Sequence, residues 1–468
     1  MTRKMIALGG GISGLMAARA AHDLGHECLL LEQCPSLGGL TRTVEVGDFC
    51  FDYTGHFLHL SRYATPADIP YAHLRNDEWQ RVRRRSFCLV AGKLIPAPIQ
   101  YNLAQLPAEM LAPCVKSYDD RSRPIDSEPS TFRDYIVHGF GQYLADLFLI
   151  PQNEKTMAIS LDRLSTRAVK RFFPPPDEDL VRAGIRGESA AASEYNSSFW
   201  YPKNGGIGAL VQGLRAGLNR VLVNQQATAL DLRRRSLRTK TGEVFGWDCL
   251  FSSMPLNSLC QITNDAELRA AGEQLSHSST ISFNIGLRRP LRPDLDGVHW
   301  IYVPDRSIPF YRVGFYSNIS KGTCTPGCSA LYAEVGMPAE AIDTVDIVKD
   351  LQPKVMGSLE RLGWIDSRSV ACVVVHVMRH AYVHHTDDRD RLVGTILERL
   401  HRFGVYPIGR YGLWDYTSME DSMESARATV GEVLDGIQYR DSSAQRSAEP
   451  GALPHVVHTE PAAEYRPD

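Results

Sequence analysis

The sequence predicts an α/β fold in which a parallel βαβ unit is interrupted by a helical insertion and by an antiparallel sheet. Three observations predict it. The chain opens with an apolar run (Met5 to Leu8), a glycine turn, a helical stretch from Leu15 to Leu24 and a second apolar run from Cys28 to Leu31. From Leu103 to about Phe173 apolar residues recur at helical spacing, among them Phe132, Tyr135, Ile136, Tyr143, Leu144, Leu147 and Phe148. From 278 to 380 the pattern becomes strand-rich, with runs at 280–287, 300–303, 311–316, 330–334 and 371–377.

The opening unit carries the spacing Gly9-x-Gly11-x-x-Gly14 between a strand and a helix. Each glycine has a mechanical job: a tight turn, close approach of backbone to a pyrophosphate, and close helix–strand packing. Ile12 and Ser13 begin the helix, whose N–H groups and positive dipole end would face the phosphates. Glu32 closes the unit, placed to accept both hydroxyls of an adenosine ribose. An acid there disfavours a 2′-phosphate. The expected fold is therefore a Rossmann-type domain holding a dinucleotide.

The remaining elements follow in order. Phe49 to Asp52 reads as an exit strand, and 82–100 as a hairpin turning at Ala91-Gly92-Lys93. Ser117 to Glu128 is polar and expected to loop, and Ser130-Thr131 can cap the helix that follows. Phe199 to Gly208 opens a helix over 209–218, then come a strand near Val221, a hairpin through Thr241-Gly242, and a strand at 249–253 returning to the first sheet. A last helix is expected from Met419 to Leu434, and 438–468 lacks an apolar period and reads as a disordered tail. This organisation puts the dinucleotide domain at 1–81, 195–275 and 391–437, the sheet domain at 82–102 and 276–390, and the helical substrate domain at 103–194.

Size and charge limit the function classes. The 468 residues are 43% hydrophobic, enough for two or three cores, and the net charge of −3 gives no field favouring nucleic acid. The basic runs Arg81–Arg85 and Arg233–Arg235 read as solvated faces. No stretch reaches the roughly 18 apolar residues of a membrane helix, and the first apolar run is broken by the cofactor glycines, so a cytoplasmic protein is expected. The 10 cysteines lack metal-ligand spacing and read as free structural thiols; Cys324 and Cys328 form the closest pair.

A second glycine pair follows Glu32 at Gly38-Gly39-Leu40-Thr41, which resembles the FAD-binding oxidase and mutase group. The ordered blocks Gly38–Leu40, Phe51–His56, Pro96–Gln100, Phe199–Gly208, Trp300–Arg312 and Gly409–Tyr416 together resemble UDP-galactopyranose mutases, the eukaryotic-type branch most closely. The resemblance implies FAD, active when reduced, used without net redox. Its N5 is the nucleophile at the anomeric carbon of a nucleotide-diphosphate hexopyranose, which recloses as a furanose. It implies that NAD(P)H or another reductant activates the flavin, and that the chain forms a homo-oligomer.

The resemblance also carries residue roles. Arg312 becomes a diphosphate clamp, with Arg171 as second clamp and Arg167 as its competitor. Tyr382, which stands 28 positions before Arg410, and Tyr416 become diphosphate hydrogen-bond donors, and Asn196 a substrate contact. Gly55 and His56 lie at the flavin loop, Arg410 contacts the flavin, and the helix opening at Met419 faces its N1–C2=O edge. Gln100, Asn153, Trp300 and Tyr302 complete the substrate-binding set.

At the nucleobase end the sequence departs from the family. The uracil-stacking tyrosine falls on Ala97 and a lid tryptophan on Met157. Losing the aromatic at Ala97 removes roughly 150–250 Å² of contact, which favours a nucleotide sugar other than UDP-galactose. Two other classes fit the opening motif: an FAD oxidoreductase of the protoporphyrinogen or amine oxidase type, and a non-catalytic flavin-binding scaffold.

Overall fold

The computed structural model describes residues 3–121, 131–166, 173–188 and 197–443. A five-stranded parallel sheet forms the base, in the order Val405–Pro407, Cys249–Ser252, Met5–Leu8, Cys28–Leu31, Val221–Leu222. The strand at Cys249–Ser252 does return to the first sheet, beside Met5–Leu8. Helix Ile12–Asp23 lies in the core between helix Gly208–Arg215 and the last helix. Its alanines Ala17, Ala18, Ala20 and Ala21 are buried, and such small side chains let neighbouring helices approach closely.

The second layer is a seven-stranded sheet. Its order is Val370–Met378, Ser278–Leu287, Ser329–Pro338, Arg312–Phe315, Trp300–Tyr302, Ser86–Val90, Lys93–Pro96. All neighbours are antiparallel except Trp300–Tyr302 with Ser86–Val90, so the expected antiparallel sheet contains one parallel pair. Alternation along its strands sorts the two faces. Ile281, Phe283, Ile285, Leu331, Ala333 and Val335 join an apolar core that includes Val355 and Leu359 of helix Gln352–Arg361. The even-numbered residues Thr280, Ser282, Asn284, Tyr332 and Glu334 take the opposite face and are buried as well. A buried face that is polar needs partners, and that face carries the candidate site.

Helices Ala108–Asp119, Phe132–Phe140, Ile150–Met157 and Glu178–Arg186 build a separate core around Tyr118, Phe132, Ile136, Phe140 and Leu161. Thr131 is the cap: its Oγ accepts from Asp134 N (3.1 Å), and its own N–H donates to Asp134 Oδ2 (3.3 Å). Helix Ile150–Met157 is bolted to the sheet by Lys155, whose ammonium donates to the carbonyls of Val303, Asp305 and Phe310, each at 2.7 Å.

Several boundaries differ from those expected. Val82 belongs to strand Trp79–Arg83, which pairs with Ser198–Pro202, so the hairpin begins at Ser86. Ser117 is still helical, because no glycine or proline follows Pro113 before the helix ends at Asp119, and the rest of the expected polar loop from 122 lies outside the described residues. The last helix runs from Met419 to Ser443, past the expected start of the tail at 438. No glycine or proline interrupts residues 437–443, and adding residues to an existing helix costs little. All ten cysteines are free, and no helix among the described residues is long and apolar enough to cross a membrane.

Candidate functional site

The glycine turn is built as its spacing requires. Gly9 adopts φ +100°, and its N–H donates to Leu31 O (2.8 Å). A Cβ on Gly14 would overlap the Gly9 carbonyl, whereas Gly11 faces open space with only Gly39 Cα nearby, at 3.9 Å. The second glycine pair packs against the first turn. Gly38 N donates to Gly10 O (2.7 Å), and a Cβ on Gly39 would come within 3.1 Å of Gly11 Cα. This contact is why two glycines recur so soon after Glu32. Glu32 is buried, and its carboxylate accepts from Gly10 N (2.6 Å) and Cys34 N (2.7 Å), which fixes it beside the turn.

Gly409 packs onto the same place. It has φ +69°, and a Cβ on it would overlap Ser13 Oγ at the start of the first helix. Thus Ser13, Gly409 and Arg410 share one junction. At the last helix, Ser418 caps Met419–Ser443 by accepting from Asp421 N (3.1 Å). Glu420, 1% exposed, accepts from the N–H groups of Ser61 (3.0 Å) and Arg62 (2.8 Å). Met419 therefore opens the helix as expected, but two buried acids occupy its first turn. They offset the dipole that the sequence reading assigned to the flavin.

On the polar face of the large sheet one row runs across five strands. Tyr302 pairs with Arg312, Arg312 with Glu334, Glu334 with Ser282, and Ser282 with His376. Arg312 donates Nε to Glu334 Oε2 (2.6 Å) and Nη2 to Glu334 Oε1 (2.9 Å). Burial opposes the guanidinium charge, but Glu334 outweighs it and holds the group well above its ordinary range. Thr54 Oγ donates to the same Glu334 Oε1. Thr54 leads into Gly55, where a Cβ would collide with the Tyr332 hydroxyl, and then into His56.

His56 is a neutral imidazole. Burial pushes its pKa down to about 4, helped by the positive charges of Arg312 and Arg410. One ring nitrogen donates to the Leu40 carbonyl, while Nδ1 is buried without a partner. The Tyr332 hydroxyl and Trp300 Nε1 are likewise buried and unpartnered. Buried polar atoms without a partner also occur elsewhere among the described residues, for example at Trp79, but in this wall His56 and Tyr332 carry theirs beside the Arg312 charge.

Arg410 extends the wall. Its guanidinium carbon lies 5.1 Å from the Tyr416 ring centroid and 5.8 Å from that of Tyr382, and these two rings are 6.4 Å apart. Burial raises the pKa of both phenols, so both stay protonated donors. Tyr382 also feels Arg312 and Glu334, which joins the two halves of the site. His385 stacks on Tyr416 at 5.0 Å.

Other expected site residues are less central. Trp300, 4% exposed, stacks on Phe57 (5.1 Å, 8°) at the edge of the aromatic core. Tyr302, two residues on, touches both the cofactor-side and the helical cores. Asn153 turns back on its own helix, Nδ2 donating to Leu149 O (2.7 Å). Gln100 sits half-buried in the turn Ile99–Tyr101, with no side-chain hydrogen bond among the described residues. Met157, where the resemblance puts a lid tryptophan, is buried, its sulfur accepting from the Tyr416 hydroxyl (3.0 Å). Arg171, Arg167 and Asn196 lie outside the described residues.

Sequence reasoning missed Glu334, Thr54, Tyr332 and His385. Glu334 had a readable signal: it is the single charged residue of the otherwise apolar strand Ser329–Pro338.

The profile of the NAD(P)-binding Rossmann-like domain family matches residues 8–68. A crystal structure of reduced UDP-galactopyranose mutase superposes with TM-score 0.86 at 25% identity, covering 93% of this chain and 94% of that one. The chain has a UDP-galactopyranose mutase-like flavoenzyme fold. Two further structures share the fold at lower identity. A protein assigned as a protoporphyrinogen oxidase, from Exiguobacterium sp. 255-15, gives TM-score 0.71 at 19% identity, covering 93% of this chain and 99% of its own. A fatty acid isomerase from P. acnes that produces CLA gives 0.62 at 14%, covering 92% and 98%.

In this mutase-like fold the residues present fit FAD. The open backbone at Gly11, the acid at Glu32 and the unpartnered His56 Nδ1 are the features such a cofactor would use. Gly14→Ala is accordingly expected to yield protein purified without flavin, because its methyl would push the Gly9 carbonyl out of the turn. Gly394→Ala, which meets nothing within 4 Å, should keep full flavin content; the ratio of flavin to protein absorbance checks both.

Proposed function

We propose that the protein is an FAD-dependent nucleotide-diphosphate-hexose mutase that interconverts pyranose and furanose rings without net redox. Its substrate is a nucleotide sugar other than UDP-galactose. One observation carries the reading: Arg312, Arg410, Tyr382 and Tyr416 gather within one buried, polar wall that also holds His56. Such a wall suits a diphosphate. An oxidase acting on an apolar or amine substrate has no use for two arginines there.

Each residue then has a role. Gly9, Gly11, Ile12, Ser13 and Gly14 seat the pyrophosphate of FAD, and Glu32 its ribose. Gly38, Gly39, Leu40, Gly55, His56, Arg410 and Met419 line the path toward the flavin. When bound and reduced, FAD supplies a nucleophilic nitrogen to the anomeric carbon. Arg312 grips the diphosphate through the guanidinium edge that Glu334 leaves free, while Tyr382 donates to its oxygens and Tyr416 does so once its hydroxyl turns from the Met157 sulfur. Arg171, or Arg167 in its place, closes the other side with Asn196. His56, held neutral with its N–H on the Leu40 carbonyl, offers Nδ1 as a hydrogen-bond acceptor without adding charge. Gln100, Asn153, Trp300 and Tyr302 bound the nucleoside end, where half-buried Ala97 leaves room for a base larger than uracil. NAD(P)H or another reductant activates the flavin. The setting is cytoplasmic.

The test uses the yellow protein reduced with dithionite under nitrogen, with UDP-, GDP-, TDP- and CDP-hexoses followed by NMR. One furanose product should form over many turnovers with no further reductant consumed, and oxidised protein should be inactive. Consumption of one reductant or oxidant per product would instead establish the oxidoreductase reading.

A further inference from the structure

Arg312 and the His56 loop lie in different elements, yet one carboxylate binds both Arg312 and Thr54, two residues before His56. Glu334 is 1% exposed and sits in the middle of strand Ser329–Pro338. Its Oε2 accepts from Arg312 Nε (2.6 Å), and its Oε1 accepts from Arg312 Nη2 (2.9 Å) and from Thr54 Oγ. The backbone carbonyl of Glu334 accepts from Tyr311 N (2.9 Å), which pins the neighbouring strand in register. Thr54 O in turn accepts from His56 N (2.8 Å).

The geometry of a guanidinium decides what this does. A guanidinium has two parallel-donor edges, and Glu334 occupies the Nε/Nη2 edge. The Nη1/Nη2 edge therefore points away from Glu334, fixed in direction by a bidentate pair that is mostly out of water. Side-chain exposure is 18% for Arg312 and 1% for Glu334. Through Thr54 the same carboxylate sets the loop whose next residues are Gly55 and His56. A shift of Glu334 moves both.

We propose that Glu334 is a positioning residue that couples an anion held by Arg312 to the histidine beside the flavin. The path is Arg312–Glu334–Thr54–His56, each step a hydrogen bond. This rests on the mutase reading for the identity of the anion, a nucleoside diphosphate. The coupling itself does not depend on that identity. Glu334→Gln keeps the shape but offers a second donor where Arg312 Nε or Nη2 already donates, so one link must break. Thr54→Val removes only the link to the loop.

The experiment measures two quantities on FAD-loaded wild type, Glu334→Gln and Thr54→Val. One is the dissociation constant for UDP, GDP, TDP and CDP, read from flavin fluorescence. The other is the flavin midpoint potential with and without the tightest diphosphate. Glu334→Gln should weaken diphosphate binding at least tenfold and abolish the potential shift that the diphosphate produces in wild type. Thr54→Val should bind within threefold of wild type, yet show a changed ligand-free potential and a reduced ligand-induced shift. A residue that merely supported the fold would leave both potentials unmoved. Unchanged binding in Glu334→Gln, or wild-type potentials in Thr54→Val, overturns the proposal. Should wild type bind no diphosphate, the mutase reading fails alone, and the ligand-free potential of Thr54→Val still decides the link to the flavin. Thr54→Val also keeps the test open if Glu334→Gln does not fold.

Discussion

Arg312→Ala should abolish turnover of a nucleotide sugar while the protein stays yellow. The guanidinium belongs to the large sheet, whereas the glycine turn proposed to seat the cofactor follows a strand of the parallel sheet, so flavin content should match wild type. The structure adds a second consequence. Removing Arg312 leaves the buried carboxylate of Glu334 with Thr54 as its remaining side-chain partner. Stripping one member from a buried pair costs about 3–5 kcal/mol, so the variant should unfold at distinctly lower denaturant. The double variant Arg312→Ala/Glu334→Ala should regain part of that stability but no activity, since the unpaired charge is gone and the clamp still missing. Activity, flavin absorbance and urea midpoints of the three proteins separate these effects. Loss of FAD with Arg312→Ala would reassign the arginine to the cofactor.

The contrast between Glu32 and Glu334 explains what a sequence discloses. Glu32 follows the glycine turn at a short, fixed distance, because strand, turn and helix are local and their geometry sets the spacing. The same locality made Gly9, Gly14 and the Gly38-Gly39 pair readable, and the contact of Gly39 with Gly11 supplies the reason for that pair. Glu334 meets Arg312 only because two strands fell into register, and Thr54 meets it from a distant part of the chain. Pairing across strands leaves no period in the sequence. Its trace was indirect: an acid among Ala, Leu, Tyr and Val at a position whose alternation points to a buried face. Trp300 was legible as part of an ordered block, but its stacking on Phe57 and Phe199 was not, since those partners come from distant parts of the chain. The contact of the Met157 sulfur with the Tyr416 hydroxyl joins distant segments in the same way.

Acid should destabilise this protein well before its carboxylates are all protonated. Seven histidines are held neutral by burial. It pushes His56, His59, His299, His376 and His384 down to about 4 and His380 and His385 to about 3, against an ordinary value of 6.5. Neighbouring charge reinforces several: Arg84 beside His59, Arg85 beside His299, and His277 stacked on His380 at 4.0 Å. Between about pH 6.5 and 4 the unfolded chain thus binds protons that the folded chain refuses, and stability must fall as pH falls. Each such histidine contributes a slope of up to about 1.4 kcal/mol per pH unit where only the unfolded form is charged. One group tempers this. Burial raises Asp52 to about 6, so between 6 and its ordinary 3.8 the folded state binds a proton that the unfolded one does not, which is stabilising. At His385, Asp415 Oδ1 lies 3.3 Å from Nε2, yet burial and the Arg389 charge still push the imidazole down to about 3. One opposing carboxyl against seven histidines leaves a net loss. The melting temperature of the holoprotein should therefore drop steadily from pH 7 to pH 5 in buffers of equal ionic strength. His56→Asn should flatten part of that slope without adding a charge, whereas a melting temperature that held level or rose toward pH 5 would mean these imidazoles find water or anions in the folded state.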